Sequence, residues 1–115
     1  GIENIFYFFL LSQMGKHTII LFQETRAKNT RSFYDYETVT AALEGIRKSY
    51  ENKLSQANPR VKHISYDISE LNAYLDSLGD ISCLVFNEQK LAYEPYDREW
   101  IKKRIFKHLN KQTRR

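Results

Sequence analysis

One cysteine, one methionine, one tryptophan, two prolines and four glycines are all that the 115 residues hold of these types. Each shortage excludes something. A lone Cys83 cannot close an intramolecular disulfide. Its place inside the apolar run ISCLVF marks it as a buried, reduced thiol, which favours an intracellular compartment. Scattered glycines leave no glycine-rich phosphate loop. His17, His63 and His108 fall in three separate predicted elements with no ligand spacing, so they offer neither a zinc site nor a nucleophile beside a base. Acidic residues lie at helix starts or on solvated faces, which gives no support to paired-carboxylate catalysis. No cofactor motif is present and no catalytic residue is assigned.

The longest apolar run is also short. IFYFFLL, Ile5–Leu11, has seven residues, against the roughly 20 needed to span a bilayer. Glu3, not a basic residue, precedes it, so it is a poor signal peptide. Met14 is the expected natural start. Residues 1–13 are read as an extraneous or disordered extension, residues 14–112 as one domain, and residues 113–115 as a basic tail. Met14-Gly15 is not a myristoylation signal, because Ile19 stands where Ser or Thr is required.

What remains suits a compact binding domain. Apolar residues make up 42% of the chain and fifteen are Tyr or Phe, enough for a core. The formal charge is +4, and the excess lies between Lys102 and Arg115. A basic end of this kind attracts nucleic acid or keeps a helix solvated.

Hydrophobic spacing predicts the order β-β-α-α-β-β-α. HTIILFQ, His17–Gln23, and RSFYD, Arg31–Asp35, read as a hairpin. Val39, Leu43, Ile46, Tyr50 and Leu54 form one stripe of a helix over Glu37–Ala57, with Asp35 or Thr38 as cap and Asn58-Pro59 as stop. Gly45 inside that helix costs about 1 kcal/mol against alanine, which predicts a close packing contact there. Asp67-Ile68-Ser69-Glu70 is a capping box for a second helix striped by Ile68, Leu71, Leu75 and Leu78 and stopped by Gly79. Ile81–Phe86 and Leu91–Pro95 form a second hairpin. Asp97 caps a last helix, Arg98 to about Lys111, with Trp100, Ile101, Ile105 and Leu109 inward. Paired hairpins predict an antiparallel sheet in an α+β domain.

Alternation along the first strand puts Thr18, Ile20 and Phe22 on one face and His17, Ile19, Leu21 and Gln23 on the other. The third strand divides Ile81, Cys83 and Val85 from Ser82, Leu84 and Phe86. Both faces are apolar, unlike a sheet with one wet side. Three helices can cover one face. A second copy of the chain can seal the other, burying on the order of 800 Å² per partner. Alternatively the last helix crosses over to cover it, and periodicity leaves both arrangements open. Phe22, Phe86 and Trp100 are expected in the core, and Tyr34, Tyr36, Tyr93 and Tyr96 at half-dry positions.

Several local motifs carry a family resemblance: His17-Thr18-Ile19, Tyr34-Asp35-Tyr36-Glu37, Tyr66-Asp67-Ile68-Ser69, Leu78 to Asp80, Ser82-Cys83-Leu84-Val85, Tyr93, Pro95-Tyr96 and Trp100-Ile101-Lys102. From about Lys16 to Gln112 the chain resembles the enhancer of rudimentary homologs. That resemblance implies a four-stranded antiparallel sheet with three helices on one face and a homodimer formed through the open face. Ile19, Leu21 and Tyr93 are then dimer contacts, and His17, at the strand end, stands at the dimer rim. It implies no enzyme and no cofactor, but a nuclear adaptor, with the cytoplasm as a second compartment. Its partners are RNA-processing and transcription proteins, held by short peptide segments. The associated processes are mRNA splicing and decay, microRNA processing, the cell cycle and pyrimidine metabolism. Family phosphorylation sites map to Ser32, which has Asp35 three residues on, and to Thr38, which has Ala41 where an acid belongs. The alternative function is a small basic RNA-binding module using Lys103, Lys107 and Lys111, with direct nucleic-acid binding weak because no exposed aromatic platform accompanies them.

Overall fold

The computed structural model describes residues 16–113. The expected extension over residues 1–13, the Met14 start and the Arg114-Arg115 end lie outside the described residues. Strand β1 (Thr18–Gln23) turns through a 3-10 segment (Lys28–Thr30) into β2 (Arg31–Tyr36). Helices α1 (Val39–Ala57) and α2 (Ile68–Ser77) follow, then β3 (Asp80–Asn87), β4 (Ala92–Tyr96) and α3 (Arg98–Thr113). This is the α+β order expected from periodicity. The sheet is antiparallel throughout, with spatial order β2-β1-β3-β4. The two hairpins therefore join through β1 and β3, where Ile20 faces Cys83 and Phe22 faces Ile81.

All three helices pack on one side of the sheet. The core joins Ile20, Ile81, Cys83 and Val85 to Leu43 and Ile46 of α1, Leu71 and Leu75 of α2, and Ile101 and Ile105 of α3. The stripes read from the sequence are the buried faces. The last helix does not cross over, so among the described residues the second face has no helix on it. Cys83 is 1% exposed, and burial pushes its thiol up to about 11, out of the range where it reacts as a thiolate.

Caps set the helix limits. Thr38, not Asp35, caps α1, its Oγ1 accepting from Ala41 N at 3.0 Å. Asp67 Oδ1 accepts from Glu70 N at 2.9 Å and from Ser69 Oγ at 2.6 Å. Asp97 Oδ1 accepts from Trp100 N at 3.0 Å. The glycine stop of α2 needs correction. Leu78 is extended (φ −68°, ψ 145°) and no described glycine has positive φ, so there is no left-handed cap. Instead the Arg98 guanidinium donates to the carbonyls of Asp76 (3.2 Å) and Leu78 (3.1 Å), satisfying the helix end from α3. Gly79 serves close approach, since a Cβ there would run into the Thr25 carbonyl. The second hairpin also differs from expectation. Leu91 lies in the turn, at φ 51°, and β4 begins at Ala92. Asn87 Oδ1 organises that turn by accepting from Gln89 N and Lys90 N.

Gly45 has the tight contact its helical position required. A Cβ there would meet the ring and hydroxyl of Tyr36, which lies across α1 from β2. Ordinarily Gly→Ala in a helix gains about 1 kcal/mol, whereas overpacking costs about 1–3 kcal/mol. Gly45→Ala is therefore expected to lower stability by about 1 kcal/mol in urea unfolding, and to raise it when Tyr36 is also Ala. Gly79→Ala meets backbone and should have no such rescue.

Tyr50 anchors an aromatic cluster between α1 and α2. Its ring lies 4.8 Å from that of Tyr74 and 5.0 Å, edge-on, from that of Tyr66. Burial raises the pKa of all three, and the hydrogen bond from Tyr66 Oη to Glu51 adds to the effect for Tyr66. A raised folded pKa gives stability that is complete below the unfolded value of about 10 and is lost as pH climbs through the folded values. Phenolate absorbance at 295 nm should thus show these tyrosines titrating late, with circular dichroism falling over the same alkaline interval.

Candidate functional site: the open sheet face

Antiparallel partners share a face, so the register defines the uncovered surface as cross-strand rows. Phe33, Leu21 and Ser82 form one row across β2, β1 and β3. Asp35, Ile19, Leu84 and Pro95 form the next, across all four strands. Beyond it Phe86 pairs with Tyr93, and the backbone N–H of Phe86 donates to the His17 carbonyl. Leu21, Phe33 and Tyr93 are 40%, 71% and 41% exposed, a contiguous apolar surface rather than isolated residues.

Polar groups border this surface at both ends. At one, Arg31 Nε donates to Gln23 Oε1 at 2.8 Å, in the row that ends at Asp80. At the other, the His17 ring bridges two strands, with Nδ1 2.8 Å from Tyr93 Oη and Nε2 3.2 Å from Asp35 Oδ2. The Tyr93 ring sits edge-on to both His17 (5.9 Å) and Phe86 (5.2 Å). These contacts fix His17 and Tyr93 in orientation. An apolar centre with a hydrogen-bonded rim is the anatomy of a protein contact surface.

The structure brings together all four residues expected here: His17, Ile19, Leu21 and Tyr93. It adds Phe33, Leu84 and Phe86. Phe86 corrects the expectation of a core residue, because it shares the open face with Leu84, opposite Cys83 and Val85. Alternation along β3 already carried that signal, as did Arg31-Phe33-Asp35 along β2. The other aromatics divide differently. Trp100 packs against the core and stacks on Tyr96 at 4.2 Å. Tyr34 is 53% exposed.

A second concavity lies on the helix side, at the β2 edge. It measures about 590 Å³ and runs between the sheet and α1, lined by Ile20, Phe22, Tyr34, Tyr36, Ala41 and Ser49 among others. Its volume falls in the range of ligand-binding clefts. Gly45 borders it and lets α1 approach Tyr36.

The remaining expected positions are dispersed. Ser32 is half-buried in β2, opposite Phe22. Thr38 Oγ1 is engaged in the α1 cap. Lys103, Lys107 and Lys111 line the outer side of α3, away from both sites. His63 is exposed in a connector, while His108 Nε2 lies 2.6 Å from Glu44 Oε1. Among the described residues no group of three His, Cys, Asp or Glu could hold a metal ion, and no helix is long and apolar enough to cross a membrane.

This chain matches the enhancer of rudimentary profile over residues 14–115. It is 52% identical over 95 residues to the enhancer of rudimentary homolog of Dictyostelium discoideum, covering 83% of this chain and 95% of that one. The chain belongs to the enhancer of rudimentary family. The Arabidopsis thaliana homolog is 46% identical (84% of this chain, 89% of that one) and the Drosophila virilis protein enhancer of rudimentary 44% identical (78% and 86%). Membership agrees with the resemblance read from the local motifs.

Within this family member Thr38 acts as a helix cap. Thr38→Ala should cost about 1 kcal/mol in thermal or urea unfolding, whereas Thr38→Ser should be nearly neutral because it keeps the accepting oxygen.

Proposed function

We propose that this enhancer of rudimentary protein is a non-enzymatic homodimeric adaptor. Two copies meet through the open sheet face, with Ile19, Leu21, Leu84 and Phe86 at the centre and His17 and Tyr93 toward the rim. The observation that carries this reading is the uncovered apolar surface. Leaving Leu21, Phe33 and Tyr93 in water is unfavourable, at roughly 25 cal/mol per Å² of apolar area. A two-fold partner removes that exposure by placing the same surface on itself.

The dimer presents the groove between β2 and α1 to short apolar segments of nuclear proteins of RNA processing or transcription. Extended or helical segments with one or two large anchors suit such a groove. The roles in mRNA processing or decay and in cell-cycle regulation follow from those partners. Ser32, half-buried beside the groove residue Phe22, is the acceptor for an acidic-directed kinase. A phosphate there adds nearly two negative charges to an apolar edge, which weakens segment binding.

Sedimentation equilibrium should find twice the 13.7 kDa chain mass, both for the full chain and for a chain beginning at Met14. Ile19→Glu with Leu21→Glu should yield folded monomers. Ala41→Arg should keep the dimer but abolish capture of partners from nuclear extract. Single chains at micromolar concentration in the unmodified protein would overturn the dimer. Unchanged capture by the Ala41→Arg variant would overturn the groove.

A further inference from the structure

Helix α3 concentrates the positive charge of the molecule. Between Arg98 and Thr113 there are six Lys and Arg residues and one acid, Glu99. Half of the cations have structural tasks. Arg98 closes the end of α2. Lys102 Nζ pairs with Asp76 at 3.0 Å and with Glu99 at 3.6 Å. Arg104 lies over the Trp100 ring at 5.1 Å. Lys103, Lys107 and Lys111 are exposed and form no ion pair among the described residues. They recur every fourth residue and so stack along one side of the helix, a like-charge spacing that destabilises a helix unless anions screen it.

An aromatic ring stands within this stripe. Phe106 is 48% exposed although it lies in a helix whose inward positions are filled by Ile101, Ile105 and Leu109. Lys103 and Lys107 flank it, and all three border a depression of about 340 Å³ with Asn72, Glu99 and Lys102. The expectation that no exposed aromatic accompanies the basic residues is thereby corrected.

We infer that the outer side of α3 is a binding surface for single-stranded nucleic acid. Lys103, Lys107 and Lys111 neutralise successive phosphates. Phe106 offers its face to one unpaired base. Glu99, in the adjoining depression, lies where it can meet the donor edge of that base. Positive charge alone would fit any polyanion. The ring between the lysines favours a chain that alternates phosphate with a flat π-surface. The surface lies away from the open sheet face, so it works in a monomer or a dimer.

The test is fluorescence anisotropy of the full chain with a labelled 20-nucleotide single-stranded RNA of mixed sequence, at several salt concentrations. The unmodified protein should bind with affinity that falls steeply with salt. Lys103→Gln, Lys107→Gln and Lys111→Gln together should flatten the slope of log affinity against log salt by about 2, at roughly 0.7 for each phosphate no longer neutralised. Phe106→Ala should reduce affinity about tenfold with the slope unchanged, as loss of stacking requires, and Phe106→Trp should restore it. Sedimentation and circular dichroism should be unaltered in every variant, which separates this surface from the dimer. Equal affinity of Phe106→Ala and the unmodified protein, equal competition by polyglutamate, or no binding at low salt would overturn the proposal.

Discussion

The pairing of β1 with β3 is the constraint on which the rest of the molecule depends. Each hairpin alone is a two-stranded ribbon, marginal in water. The ladder from Thr18–Val85 to Gln23–Asp80 fuses them into one sheet across the two intervening helices. It also puts both central strands in the interior of the sheet, where each is flanked on both sides. Ile20, Ile81, Cys83 and Val85 then form a single strip for the helices, and Ile19, Leu21, Leu84 and Phe86 a single strip on the opposite side. One register creates the core and the candidate contact surface together. A shift of one residue would exchange them.

The helices are bound to that sheet by contacts that also define the grooves. Gly45 permits α1 to lie against Tyr36, and the cleft between them opens toward Tyr34 and Ala41. Arg98 joins the start of α3 to the end of α2, and Lys102 adds an ion pair to Asp76 one turn later. These two cations sit at half-shielded positions with fixed partners. The lysines farther along α3 do not, although their sequence context is similar. The same side chain thus holds the fold at Lys102 and remains available at Lys103, Lys107 and Lys111.

Much of the architecture was legible because each local signal agreed with the global one. Asp67 and Asp97 precede helices and cap them. Leu71 and Leu75, or Ile101 and Ile105, repeat at helical spacing and are buried. Gly45 predicted a close contact and has one. The failures are equally physical. Gly79 follows a helix, so a left-handed cap was the natural expectation, but the helix end is satisfied by an arginine 20 residues away and the glycine makes room for a carbonyl in the first hairpin. Phe86 is large and apolar, which suggested the core, but period-two alternation outranks side-chain type on a strand. Phe106 stood outside the inward stripe of α3, and only the packing revealed that its ring is left half exposed.

By itself the sequence determined the element order, the Asp67 and Asp97 caps, the buried stripes and the presence of two apolar faces on the central strands, because these follow from periods of 3.6 and 2 and from side-chain hydrogen bonding within a few residues. It could not decide which strands are neighbours, or whether the last helix covers the second face. Those depend on pairing across more than 50 residues, where loop-closure entropy is similar for competing topologies and only the combined packing of α1, α2 and α3 on one side selects among them. That choice leaves Ile19, Leu21 and Tyr93 facing outward from the folded chain.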